Sequence, residues 1–163
     1  MNLVCKQTFL AVILTLSLLL PATAGPYEEA EAAYARGDYA TALRLVRPLA
    51  DQGQAQAQVS MGLMYGSGHG VAQDDTEAAK WYRLAADQGH SYAQFMLGLL
   101  YASGHGVPQN YVLAYMWLDL AAAHIHGPPG DVRDACARLM TKSQIRAAQK
   151  LARMWRPVSQ PRR

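Results

Sequence analysis

The chain has 163 residues, 51% of them hydrophobic and 17% charged, with two cysteines and a formal charge of +3 from 15 basic and 12 acidic side chains. That length excludes a large multidomain enzyme and fits one domain or a short repeat array. From Gly25 onward 25 alanines stand against 12 β-branched residues, so a β-rich fold lacks its usual material, whereas closely packed helices have theirs.

Residues 1–24 read as a secretory signal peptide. Lys6 precedes an apolar run from Phe9 to Leu20, too short to span a bilayer comfortably, and Ala22 and Ala24 form an A-x-A cleavage pattern. An uncleaved N-terminal anchor is the alternative. Cleavage after Ala24 removes Cys5 and leaves Cys136 as the single thiol, so no intramolecular disulfide can form. The expected compartment is exported and oxidising, periplasmic first and extracellular second.

Beyond the leader, a 36-residue period organises the chain. Gly62 pairs with Gly98, Tyr65 with Tyr101, Gly68 to Val71 with Gly104 to Val107, and Trp81 with Trp117, every offset being 36. Residues 55–90 and 91–126 are therefore two full copies. Residues 25–54 hold a divergent copy with a shortened middle, Tyr34 to Tyr39. A period of this size implies stacked helix pairs, each burying a face it cannot bury alone. Within one copy Ala57, Met61, Met64 and Tyr65, then Ala78, Trp81, Tyr82 and Ala85, recur at helical spacing. Gly66, Gly68 and Gly70 make the loop between them, and Asp74 and Asn110 suit the cap position of the following helix. The expected pairs lie at 27–52, 55–89 and 91–124.

After His126 the chain leaves the period through a turn at Gly127 to Gly130. Residues 127–156 read as a helical cap, one helix capped by Asp131 and running to about Met140, the next opened by the T-x-x-Q box of Thr141 and Gln144 and running to Trp155. Cys136, Leu139, Met140, Ala148, Leu151 and Trp155 are the apolar residues expected to close the last repeat. Residues 157–163 read as a frayed basic tail.

These motifs resemble those of the Sel-1-like repeat family, relatives of the tetratricopeptide repeats. Ala57, Met61, Gly62, Tyr65, Gly68, Gly70, Val71, Asp74, Ala78, Trp81, Tyr82, Ala85, Ala86 and Gly89 carry the pattern in one copy. Ala93, Leu97, Gly98, Tyr101, Gly104, Gly106, Val107, Tyr111, Ala114, Trp117, Ala121 and Ala122 carry it in the next. Met61, Asp75 and Ile125 depart from it, and the ending MTKSQIRAAQKLARMW is similar to the cap of exported bacterial members. The resemblance implies an all-α fold, a short right-handed α-solenoid of antiparallel helix pairs with a C-terminal helical cap. It implies a non-catalytic protein-interaction or scaffold module of the bacterial cell envelope, holding a segment of an unknown protein partner along its concave face. Gln58, Ser60, Gln94 and Met96 are the candidate partner-binding residues.

Other chemistry is poorly supported. His69 and His105 recur in equivalent loops and could share a metal with His90, His124 or His126, but stacked helices are about 8 to 10 Å apart and no Cys or carboxylate has matching spacing. No metal and no cofactor are therefore expected. The glycines of GSGHG lack the Lys-Ser/Thr of a phosphate loop. Cys136 lies in an apolar stripe without a fixed histidine partner, so no catalytic residue is assigned. The alternative of an envelope hydrolase or its regulator, acting on peptidoglycan or a β-lactam, is weakened because the chain lacks the paired cysteines of the secreted relatives linked to β-lactams.

Charge is segregated. Residues 25–130 carry five basic and ten acidic side chains, a balance of −5, while residues 131–163 carry nine basic and two acidic, a balance of +7. Lys142, Arg146, Lys150 and Arg153 form one basic stripe on the last helix, a candidate surface for anionic lipid, an acidic envelope polymer or an acidic protein. A solvated helix face is the plainer reading. Nucleic acid is not an expected partner, and contact with membrane or cell wall would be peripheral.

Overall fold

The computed structural model describes residues 25–158. The expected leader and the last residues of the basic tail lie outside the described residues. Those described form helices and connecting turns with no strand, in the order α1 Pro26–Ala35, α2 Tyr39–Asp51, α3 Ala55–Ser67, α4 Asp75–Asp87, α5 Ser91–Ser103, α6 Tyr111–Ala122, α7 Pro128–Arg138 and α8 Lys142–Met154. None of these helices is long and apolar enough to cross a membrane. The first six helices pack as successive pairs, each pair packing on the next through the second helix of one and the first of its neighbour, while α7 and α8 both pack on α6.

The repeat sequence sets the helix ends. Pro26 opens α1, where a missing N–H costs nothing, and Glu28 and Glu29 place negative charge in its first turn. Asp38, Asp74 and Asn110 each accept a backbone N–H as the cap of α2, α4 and α6. Gly68 and Gly104 close α3 and α5 in the left-handed conformation, at φ 73° and 80°.

Packing repeats with the same offset. A Cβ on Gly62 would come within 2.7 Å of the Tyr82 ring, and one on Gly98 would come equally close to Leu118, so these glycines let the two helices of a pair approach. The next glycine of each loop seats the loop on the preceding unit. A Cβ on Gly70 would lie 2.8 Å from the Tyr39 carbonyl oxygen, and one on Gly106 would overlap the Asp75 carbonyl. Ala33, Ala50, Ala57, Met61 and Met64 are buried between the first two units, and Ala85, Ala86, Ala93, Leu97 and Trp117 between the later ones. Full burial of a side chain the size of Leu97 stabilises the fold by about 2 kcal/mol.

The cap encloses α6. Ala114 to Leu118 and Ala121 are all buried, because α5, α7 and α8 pack round this helix. Its apolar residues accordingly run round the whole helix and form no single stripe. Trp155 meets Trp117 edge to face at 6.1 Å between ring centres. The chain then turns back along the solenoid, and the Val158 N–H donates to the Asp87 carbonyl at 2.8 Å.

The cap differs from expectation at three residues. Asp131 does not cap α7. Gly127, at φ 90°, precedes a helix opened by Pro128, which places Asp131 in the first turn with no cap bond from a side chain. Leu139 is 66% exposed and Leu151 is 41% exposed, so neither closes the last repeat. The buried face of α8 consists of Ala148 and Ala152, with half-buried Ile145, Gln149 and Trp155 beside them. The phase of α8 points Leu151 away from α6.

Candidate functional site

Because the first helices α3 and α5 follow one another at the 36-residue interval, residues at one phase of each line up. On α3 that phase holds Gln56, Ser60 and Leu63, and on α5 the positions 36 further on hold Tyr92, Met96 and Leu99. These six are exposed or half-buried. On α1, Tyr27, Glu31 and Tyr34 recur at the same helical spacing, and the Tyr27 hydroxyl lies 3.0 Å from the Ser60 hydroxyl. The rows of α3 and α5 thus give one face, which the α1 tyrosines adjoin from a different phase, a mixture of aromatic rings, aliphatic side chains and hydroxyls.

Ser60 and Met96 belong to this face; Gln58 and Gln94 do not. Gln58 is 3% exposed and Gln94 2% exposed. Gln58 Nε2 donates to the Ala50 carbonyl at the end of α2, and Gln94 Nε2 donates to the Ala86 carbonyl at the end of α4, each at 3.3 Å. Gln88 Nε2 in turn donates to Gln58 Oε1 at 2.7 Å. Each amide thereby ties a first helix to the preceding second helix. No protein donor reaches Gln94 Oε1, and the residue 36 positions after Gln88 is the exposed His124.

A second bond repeats alongside the glutamines. Arg47 Nη2 donates to the Tyr65 hydroxyl at 2.9 Å, and Arg83 Nη2 to the Tyr101 hydroxyl at 2.6 Å, so a guanidinium from each second helix fastens the next first helix. Arg83 also lies 5.2 Å from the centre of the Trp117 ring. At the end of the array the scheme reverses. Asp119 occupies the arginine position, and Arg133 of α7 reaches it at 2.9 Å while packing over Tyr115.

The histidines are dispersed. His69 stacks on Tyr39 at 4.1 Å between ring centres, and its Nδ1 is 2.8 Å from the Tyr34 hydroxyl. His105, in the equivalent loop, is exposed, since Asp75 replaces the aromatic ring of Tyr39 one unit earlier. His90 caps α5, Nδ1 accepting the Ala93 N–H while Nε2 lies 2.8 Å from Gln56 Oε1. Burial holds its pKa below the ordinary histidine value, an effect only partly opposed by a backbone hydrogen bond. Among the described residues no group of three metal-ligating side chains comes together.

Cys136 is buried between α6 and α7 with Ala114 and Leu118. Burial pushes its thiol pKa up, the direction opposite to that of an activated nucleophile. On α8, by contrast, Lys142, Arg146, Lys150 and Arg153 are all exposed, and none forms an ion pair among the described residues. Leu151 and Met154 extend an exposed apolar edge beside them.

The Sel1 repeat model matches the chain twice, at residues 55–90 and 91–126. Among solved structures, a protective antigen of uropathogenic Escherichia coli displaying an SLR fold is similar at a TM-score of 0.73 and 32% sequence identity, over 80% of this chain and 29% of the antigen. A Sel1 repeat protein from Oxalobacter formigenes is similar at a TM-score of 0.61 and 35% identity, over 68% of this chain and 86% of that protein. The chain thus spans under a third of the length of the antigen. No curated protein sequence matches it significantly.

Proposed function

Because this chain belongs to the Sel1 repeat family, whose repeats generally mediate protein–protein interaction, we propose that it is a non-catalytic binding module of the bacterial cell envelope, holding a partner segment along the face of its first helices. The observation that carries this reading is the alignment of Gln56, Ser60 and Leu63 with Tyr92, Met96 and Leu99, open to solvent on helices whose other sides are fixed by the glutamine and arginine bonds. A surface so braced loses little order on binding, and methionine and tyrosine give adaptable apolar contact. The envelope location rests on Lys6, the apolar run and the A-x-A pattern of residues 1–24.

The test is capture by the tagged full chain from an envelope extract. Ser60→Arg together with Leu99→Arg should abolish recovery of the partner while helical content and unfolding midpoint stay unchanged. Recovery unaffected by those two changes refutes the first-helix face.

The exposed, unpaired cations of α8 favour one second reading, peripheral attachment to an anionic envelope surface. Co-sedimentation with vesicles containing phosphatidylglycerol should then persist at moderate salt and vanish on Lys142→Glu, Arg146→Glu and Lys150→Glu. Indifference to those changes removes it.

A further inference from the structure

Between α1, α2 and α3 lies a cleft of about 200 Å³, open on one side. Its floor is apolar, from Ala30, Val46 and Met64, and its rim carries Tyr27, Tyr34 and the carboxylate of Glu31. Setting the first helices in register on Tyr34, Tyr65 and Tyr101 explains how the cleft arises in this unit. Ala30 stands where the later units bury Met61 and Leu97, Val46 where they bury Tyr82 and Leu118, and Glu31 where they place Gly62 and Gly98. Two large side chains are thus replaced by small ones, and a carboxylate is added at a position where packing elsewhere needs no side chain. Tyr27 occupies the position of Gln58, but no earlier helix precedes it among the described residues, and its hydroxyl meets Ser60 instead.

We propose that this cleft is the anchor site of the first-helix face and takes an arginine side chain of the partner segment. The aliphatic stem would lie along Ala30, Val46 and Met64, with the guanidinium between the Glu31 carboxylate and the tyrosine rings. Charge complementarity supports this occupant. Glu31 forms no ion pair among the described residues, and the exposed Glu28 and Glu29 add negative charge on the same helix. An apolar cleft with a carboxylate and two tyrosine rings on its rim suits a cation on a long stem better than a short ammonium or a purely apolar group. Arginine on tyrosine is also the pairing this fold uses between its own units.

The inference rests on the first-helix reading, and its test separates the two. The full chain is titrated with N-acetyl-arginine amide, with the neutral isostere N-acetyl-citrulline amide and with N-acetyl-norleucine amide, followed by NMR at Tyr27, Tyr34 and Ser60. The arginine probe should shift these signals saturably, with affinity at least about fivefold above either neutral probe, as loss of a charge-assisted contact implies. Glu31→Gln should erase that preference. Ala30→Leu, which restores the bulk found in the later units, should abolish binding with the rest of the amide spectrum intact. Equal affinity for arginine and citrulline, absence of a saturable shift in the unaltered chain, or full binding by Ala30→Leu overturns the proposal. If partner capture still depends on Ser60 and Leu99 in that event, the first-helix face stands and only its anchor is refuted.

Discussion

The amide of Gln58 joins three helices, donating to the Ala50 carbonyl of α2 and accepting from Gln88 at the end of α4. Removing it deletes both bonds, while the Ala50 carbonyl keeps the Gly53 N–H and Gln88 Nε2 keeps the Leu84 carbonyl, so Gln58→Ala should cost about 1 to 3 kcal/mol in chemical denaturation, and an exposed change such as Gln56→Ala far less. Glutamine was easy to misplace from sequence. A polar side chain signals solvent only on a helix with a solvent side at that phase, and at residues 58 and 94 the preceding unit covers it. The loop glycines were more legible, since their spacing marks a turn in any context. Gly37 and Gly106 both have positive φ, but a Cβ at Gly37 meets nothing whereas one at Gly106 overlaps the Asp75 backbone. Gly37→Ala should therefore cost about 1 kcal/mol and Gly106→Ala at least about twice that, compared by unfolding midpoints. His69 and His105 lie in identical loops with different surroundings, a difference set by Tyr39 and Asp75 one unit earlier.

At the scale of the helix, the two complete pairs were readable because period, caps and glycine stops agreed, and Thr141 with Gln144 forms the full reciprocal box expected of it. Thr141→Ala should accordingly destabilise the cap by about 1 kcal/mol. The end of α7 was less readable. Leu139 and Leu151 follow the apolar pattern, but α6 can be covered by only one phase of each cap helix, and sequence alone does not fix that phase. The α5 cap gives a pH signature. Neutral His90 accepts the Ala93 N–H through Nδ1, and burial holds its pKa below 6.5. Its contribution to stability is full above 6.5 and is lost as pH falls through the depressed value. The denaturation midpoint should decline as pH falls below 6.5, less steeply in His90→Asn, which keeps a cap that does not titrate. A His90 pKa at or above 6.5 by NMR would contradict this.

Over the whole molecule, the charge division between an acidic array and a basic end corresponds to two separate surfaces. The cations of α8 are exposed and free of ion pairs among the described residues, while the rows of first-helix side chains form a face without a basic stripe. Reversing Lys142, Arg146 and Lys150 to glutamate should leave partner capture intact, and loss of capture would make α8 part of the binding surface. The fold was legible at this scale because the 36-residue offset between residues 55–90 and 91–126 is gapless. The cleft in the first unit was not, since it arises from missing bulk at Ala30 and Val46 and appears only when the units are superposed on their tyrosines. Site-specific photo-crosslinking in the native cell tests the proposed function most directly, with the photoreactive residue placed in turn at Ser60, Leu63, Met96 and Leu99, and for comparison at Lys80 on α4 and Lys150 on α8. The first-helix face predicts one common crosslinked partner from the first four positions and none from the last two; the same partner trapped from Lys80 or Lys150, with nothing from the first-helix positions, would contradict it.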